Sequence, residues 1–120
     1  MPLRCLIVDD NASFLGEAAA LLQRDGIVIA GVASNTRDAL ERAQEVKPDV
    51  ALVDISLGSE SGLELARRLV ELNGGAPTVI LISTHAETDF AELIEEAPVA
   101  GFVAKAELSG AAIRRLLEPA

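Results

Sequence analysis

Short apolar segments alternate with stretches of helical spacing along this chain of 120 residues, and the alternation restricts the possible folds more than any other feature. Each segment is mostly β-branched or aliphatic, as in strands that are covered on both faces. The predicted strands are 3–8, 27–32, 50–53, 78–82 and 99–103. Strands of this kind are typical of a parallel sheet.

A helix is predicted after each strand, because apolar residues recur there every three or four positions. The apolar stripes are Phe14, Ala18, Leu21 and Leu22; Ala39, Leu40, Ala43 and Val46; Leu63, Ala66, Leu69 and Val70; Phe90, Leu93, Ile94 and Ala97; and Ile113, Leu116 and Leu117. The predicted caps of the last four helices are Ser34 or Asn35, Ser61, Thr88 and Ser109. Right-handed βα units place helices on both faces of the sheet, which predicts a doubly wound α/β fold.

The length and charge of the chain narrow the classes of function. Half of the residues are apolar, so we expect one domain, 1–120, with one core and no separate output domain. The formal net charge of -9 argues against direct contact with nucleic acid or with an anionic membrane. A single cysteine, Cys5, and the lack of a signal-peptide pattern or a membrane-spanning run predict a cytoplasmic protein.

Polar residues stand where the predicted strands end. Asp9 and Asp10 follow the first strand, Asp54 follows the third, Ser83 the fourth and Lys105 the fifth. Ligands of open α/β sheets bind at this edge, and three carboxylates there would repel one another without a cation. Magnesium is the expected cation because it prefers hard oxygen ligands. An aspartate can also attack phosphorus, with an ammonium such as that of Lys105 neutralising the phosphoryl charge.

In order and spacing, the residues resemble the receiver domains of bacterial two-component response regulators, including the single-domain chemotaxis type, over essentially the whole chain. The matching positions are the acidic pair Asp9 and Asp10, the acceptor Asp54, the glycine Gly62, the hydroxyl residue Ser83, the aromatic Phe102 and the lysine Lys105. The resemblance implies a flavodoxin-like (βα)5 sandwich with five parallel strands in the order 2-1-3-4-5.

The resemblance also implies how the site works. Asp54 would accept a phosphoryl group from a histidine kinase or a phosphotransfer protein. Asp10, Asp54 and the backbone carbonyl of Ser56 would bind Mg²⁺ directly, and Asp9 would contribute to the metal site largely through water. Mn²⁺ could substitute for Mg²⁺. Ser83 would bond a phosphoryl oxygen while Phe102 turns inward, and a downstream protein would bind the face of helix four, strand five and helix five at 87–118. The domain would be a switch and not an enzyme with turnover.

Two positions depart from the family pattern. Ala106 stands where a proline with a cis bond usually follows the lysine, and Gly58 stands where a proline often follows the acceptor by four positions. Neither change removes a functional group. The loop after Lys105 must owe its geometry to another cause.

Several of these residues have simpler interpretations. Asp9 and Asp10 could be turn residues that close a strand, and Ser83 could be a helix cap. Lys105 could be a solvated surface lysine, and Phe102 could be a core side chain. His85 is either a polar loop residue or an influence on loss of the phosphate. The acidic stretch 87–96 is either a solvated helix face or part of a docking surface for a basic partner.

Two alternative functions follow from the same residues. A degenerate receiver would keep the fold and bind a protein without phosphate. A magnesium-dependent phosphatase of the haloacid dehalogenase type would need a second aspartate two positions after its nucleophile, where this chain has Ser56 after Asp54 and Ala12 after Asp10. The sequence therefore favours the switch over the phosphatase.

Overall fold

The fold is a parallel sheet with helices on both faces, and the computed structural model describes residues 2–72, 76–84 and 91–118. The strands are β1 Arg4–Val8, β2 Val28–Ala33, β3 Val50–Asp54, β4 Ser56–Leu57, β5 Glu60–Ser61, β6 Thr78–Ser83 and β7 Gly101–Ala104. The α-helices are α1 Ala12–Arg24, α2 Thr36–Val46, α3 Gly62–Val70, α4 Ala91–Glu96 and α5 Gly110–Leu117, and a 3-10 helix spans Lys105–Glu107. None of these described helices has the length and apolar character needed to cross a bilayer.

The order of the five long strands is β2-β1-β3-β6-β7, and all of them are parallel. β4 and β5 pair only with each other, so the predicted order 2-1-3-4-5 is confirmed for the predicted strands. The last strand begins at Gly101 and not at position 99. The reason is a turn after α4, in which the Val99 N–H donates to the Ala97 carbonyl at 2.9 Å.

Two separate clusters of buried side chains form the core, because alternate residues of a strand point to opposite faces of the sheet. The first cluster joins Leu6, Val8, Ala51, Val53, Val79 and Leu81 of the sheet to Ala39 and Ala43 of α2 and to Leu65, Ala66 and Leu69 of α3. The second joins Cys5, Ile7, Val50, Leu52, Ile80 and Ile82 to Ala18 and Leu22 of α1 and to Ile113 of α5. The predicted doubly wound sandwich is therefore confirmed.

Side-chain oxygens cap the four helices whose starts are described. The capping residues are Asn11 for α1, Asn35 for α2, Ser61 for α3 and Ser109 for α5. Asn35 and not Ser34 caps α2, and its Oδ1 accepts from the Asp38 N–H at 2.8 Å. Asn11 was not among the caps predicted from the sequence, and Thr88 lies outside the described residues.

A short hairpin follows β3 and was not expected from the sequence, because strands of two residues have no detectable period. β4 and β5 form it, and Gly58 provides the turn with a φ of 63°, a value that favours glycine. The Glu60 Oε1 accepts from the Thr36 N–H at 2.8 Å, which ties the hairpin to the start of α2. The segment after Asp54 is thus held by this hydrogen bond to α2 as well as by the pairing of β4 with β5.

Asp25 joins the end of α1 to the start of α5. Its Oδ2 accepts from the Gly110 N–H at 2.7 Å, and its carbonyl accepts from Arg114 Nη2 at 2.8 Å. We expect Asp25→Ala to lower the free energy of unfolding by about 1 kcal/mol, because a backbone donor in the first turn of α5 loses its acceptor. Urea unfolding measures the change. The substitution of an exposed residue within α1, Glu17→Ala, is the control, and equal effects of the two substitutions would contradict a special role for Asp25.

Candidate functional site

The carboxyl edge of the sheet brings together residues from four strands. Asp9 and Asp10 follow β1, Asp54 ends β3, Ser83 ends β6, and Lys105 follows β7. Parallel strands place these ends at one edge. Asp9, Asp54 and Ser83 are buried there, although buried carboxylates are rare in proteins unless they are paired.

Lys105 provides a positive charge at this edge. Its Nζ lies 2.5 Å from Asp9 Oδ2 and 2.9 Å from Asp54 Oδ2, and its side chain is only 12% exposed. Burial lowers the pKa of the ammonium, but the carboxylates of Asp9 and Asp54 outweigh burial and raise the pKa above its usual value. The ammonium is therefore held in its charged form beside both carboxylates.

The backbone fixes the two buried carboxylates through their other oxygens. Asp9 Oδ1 accepts from the Asn11 N–H at 2.8 Å, and Asp54 Oδ1 accepts from the Ser56 N–H at 3.0 Å. Each carboxylate thus has one oxygen on the backbone and one facing Lys105. This division of contacts orients both groups before any ligand binds.

The three aspartates have the geometry of a cation site. One carboxylate oxygen from each of Asp9, Asp10 and Asp54 lies within 4.8 Å of the others. Among the described residues, no donor is aligned for a hydrogen bond with the buried Asp9 Oδ2, although Lys105 Nζ is at ion-pair distance. Asp10 is exposed, so the cluster is open to solvent on one side. Three formal negative charges against one ammonium fit a hard divalent cation such as Mg²⁺.

Gly62 allows the chain to fold back against the residue that carries this chemistry. Its N–H donates to the Ile55 carbonyl at 2.8 Å. A Cβ at this position would overlap the carbonyl of Asp54 and would lie 2.9 Å from Ile55 Cα. No side chain fits there, so glycine is required for the close approach of α3 to the end of β3.

A family model described as "Response regulator receiver domain" matches residues 5–117. The chain belongs to the response regulator receiver family. Response regulator GacA of Pseudomonas viridiflava is 31% identical over 104 residues, which cover 86% of this chain and 48% of that protein. Chemotaxis protein CheY of Thermotoga maritima is 30% identical over 80 residues, with 67% of each chain covered. This chain spans half or less of the length of several curated relatives that it matches.

The fold also matches solved receiver structures. A crystal structure of a response regulator protein from Burkholderia pseudomallei, described with a phosphorylated aspartic acid, a calcium ion and citrate, has a TM-score of 0.81 and 28% sequence identity. The match covers 97% of this chain and 66% of that chain. Together with the family model, this match establishes the flavodoxin-like receiver fold.

Membership of the receiver family sets the general function. Receiver domains are phosphorylation switches with an acidic pocket for Mg²⁺, and they interact with histidine kinases or phosphotransfer proteins and with downstream effectors. The family is one of phosphoacceptors, which argues against the alternative of a haloacid dehalogenase-type phosphatase. A relative named as a protein-glutamate methylesterase is matched over only 29% of its length.

The remaining receiver positions are partly described. Ser83 is buried beside Ala104 in the sheet register, and the half-buried Phe102 packs against the first core cluster. The Ser56 N–H contacts Asp54, whereas its carbonyl as a metal ligand stays a prediction. His85 lies outside the described residues, as do positions 87–90 of the acidic stretch 87–96.

Phe14 lies at the site, although the sequence pattern predicted only that it belongs to the apolar stripe of α1. Lys105 Nζ lies 4.4 Å from the centroid of its ring. An aromatic residue four positions after Asp10 was the signal available in the sequence, but a sequence does not show which lysine reaches the ring.

The segment after Lys105 also differs from the family pattern, because no cis peptide bond occurs among the described residues and a 3-10 helix begins at Lys105.

The raised pKa of Lys105 predicts how stability depends on pH. Because the folded pKa exceeds the unfolded value, which is about 10.4, the contribution of Lys105 is complete below pH ~10 and is lost as pH rises through the folded pKa. The Lys47→Met control retains Lys105, whereas Lys105→Met does not. In urea unfolding between pH 8 and pH 11, the free energy of unfolding should therefore fall more steeply for Lys47→Met than for Lys105→Met.

The buried Cys5 thiol does not disturb this comparison. Burial raises its pKa to about 12, and this pH dependence is common to both variants. Parallel stability profiles for the two lysine variants would contradict the ion pairing of Lys105 in the folded state.

Proposed function

We propose that Asp54 is the phosphoacceptor of this receiver domain. The observation that carries the proposal is the position of Asp54 Oδ2, 2.9 Å from the Lys105 ammonium and next to two further carboxylates. Asp54 lies at the end of β3 and is nearly buried, yet the exposed Asp10 leaves the cluster open to solvent. A phosphoryl donor can approach from that side.

The acidic cluster is the proposed magnesium site. Asp9, Asp10 and Asp54 would hold Mg²⁺ together with the backbone carbonyl of Ser56, and Mn²⁺ is expected to substitute. The bound cation would neutralise charge on the phosphoryl oxygens. The response regulator from Burkholderia pseudomallei, described with a phosphorylated aspartic acid and a calcium ion, supports this arrangement.

Phosphoryl transfer requires an in-line attack by the acceptor carboxylate. An oxygen of Asp54 attacks phosphorus of a phosphohistidine on a histidine kinase or phosphotransfer protein, and the bond between phosphorus and the imidazole nitrogen breaks. The imidazole leaves with the electron pair and takes up a proton. Lys105 neutralises charge on the transferred group, while the Ser56 N–H keeps the carboxylate of Asp54 oriented.

Ser83 and Phe102 are the proposed switch residues. Ser83 ends β6 at the same edge as Asp54, and Phe102 lies on the neighbouring β7. The hydroxyl of Ser83 would bond a phosphoryl oxygen, and Phe102 would then turn further into the core. The two residues would thereby transmit phosphorylation to the surface of β7.

A downstream protein is the proposed reader of the switch. The described part of the predicted output face includes a cleft of about 310 Å³ between β7 and α5. Its lining residues are Phe102, Val103, Ala104, Glu107, Ala112, Arg115 and Leu116. Because Phe102 lines this cleft, a change of its rotamer would change the surface that a partner contacts. A cytoplasmic location stays a prediction.

Intact mass spectrometry after incubation with acetyl phosphate and Mg²⁺ tests the acceptor. We expect one phosphoryl adduct on the wild type, none at this site on Asp54→Asn, and none on the wild type in excess EDTA, because the carboxylate cluster then lacks its cation. Mn²⁺ should restore the adduct. Asp38→Asn, an exposed aspartate on α2, is the control, and an undiminished adduct on Asp54→Asn would refute the assignment.

A further inference from the structure

The Lys105 ammonium has a third neighbour besides its two carboxylates. The ring of Phe14 lies below it, with 4.4 Å between Nζ and the ring centroid. Cations within about 6 Å of an aromatic centroid are attracted by the negative face of the ring. The ammonium is therefore bounded by two carboxylates and one aromatic face.

Phe14 is itself fixed to the carboxylate cluster through one residue. The Asn11 N–H donates to Asp9 Oδ1 at 2.8 Å, and Asn11 Oδ1 accepts from the Phe14 N–H at 3.2 Å. The cap of α1 is thus also a backbone support of the site. The half-buried ring packs against the second core cluster and has little freedom to leave the lysine.

The backbone after Lys105 supplies only a short turn to hold the side chain. The 3-10 helix Lys105–Glu107 is a single turn, closed by the Leu108 N–H donating to the Lys105 carbonyl at 3.3 Å, and Ala106 is exposed. A lysine has four side-chain torsions, so a short backbone turn leaves the position of its ammonium undetermined. Contacts at the far end of the side chain must fix that position.

We infer that Phe14 is a positioning residue for phosphoryl transfer, which holds the Lys105 ammonium beside Asp54 through a cation–π contact. The inference deepens the proposed function and rests on it. Phe14 does not touch the reacting atoms. It acts by keeping the positive charge where charge on the phosphoryl oxygens must be neutralised, both before and after the carboxylates of Asp9 and Asp54 engage other ligands.

The first test compares phosphorylation rates by acetyl phosphate at saturating Mg²⁺. We expect Phe14→Leu, which keeps an apolar side chain, to be phosphorylated about tenfold more slowly, and Phe14→Tyr to stay within about twofold of the wild type because it keeps the aromatic face. Leu21→Ala on the same helix is the control for loss of packing. It should lower stability and leave the rate unchanged.

A double-mutant cycle separates positioning from general packing. In the Lys105→Met background, Phe14→Leu should cause no further loss of rate, because there is no ammonium to position. An equal tenfold loss in both backgrounds would overturn the inference. Absence of any adduct on the wild type would instead refute the proposed function, so the two failures are distinguishable.

A measurement without activity tests the contact itself. The chain has only two lysines, and Lys47 is exposed, so Lys47 serves as an internal reference in ¹H–¹³C NMR spectra. We expect the Lys105 Hε resonances to be shifted upfield by the ring current relative to those of Lys47. Phe14→Leu should abolish this shift and Phe14→Tyr should retain it. Coincident lysine resonances in the folded wild type would overturn the inference.

Discussion

We expect Lys105→Met to be phosphorylated by acetyl phosphate about 100-fold to 1,000-fold more slowly than the wild type, the loss that follows removal of one preorganised charge-stabilising group. The ammonium lies 2.9 Å from Asp54 Oδ2, where charge on the phosphoryl group must be neutralised. Rates from intact mass spectrometry at saturating Mg²⁺ measure the effect. Lys105→Arg should recover only part of the rate, because a planar guanidinium does not reproduce a compact ammonium.

Two controls make this result specific. Lys47→Met removes the same charge from an exposed position and should leave the rate unchanged. Urea unfolding of Lys105→Met in Mg²⁺ should show that the variant is folded at the assay temperature. A folded Lys105→Met that is phosphorylated at the wild-type rate would exclude Lys105 from the transfer step.

Gly62→Ala should have the largest effect on stability. We expect it to lower the free energy of unfolding by about 3 kcal/mol, the upper end for overpacking, because the new methyl group would overlap the Asp54 carbonyl. Both groups in conflict belong to the backbone, so neither can move aside as a flexible side chain would. Urea unfolding at neutral pH measures the loss.

Gly16→Ala is the matched control for this substitution. Gly16 lies inside α1, and a Cβ there would meet nothing within 4 Å. Alanine should therefore raise the free energy of unfolding by about 0.5–1 kcal/mol, since glycine costs that much in a helix. Equal effects of the two substitutions would contradict the close approach at Gly62.

The residues at the strand ends could be located from the sequence because each interrupts or follows an apolar run. Asp54 and Ser83 are polar residues directly after valine or isoleucine, and parallel strands bring such ends to one edge. The apolar pattern of the strands and the common edge formed by the ends of parallel strands were sufficient to locate these residues. The strand order itself came from the resemblance to receiver domains and not from the residues alone.

Features that depend on side-chain reach or on very short elements could not be predicted. The hairpin after Asp54 has two residues in each strand, so it has no measurable period. The contact between Phe14 and Lys105 joins residues from opposite ends of the chain, and its formation depends on lysine torsions. The pattern at Phe14 indicated a core position on α1, and the structure adds a second role to it.

The division of the core into two clusters has a consequence for protein engineering. The described buried side chains form separate clusters on opposite faces of the sheet, so substitutions in different clusters should change stability additively. One layer of helices, α1 with α5, could be exchanged for that of a relative together with its inward-facing strand residues, leaving the layer of α2 and α3 intact. The two helix layers should therefore behave as separate packing units, although one continuous chain forms both.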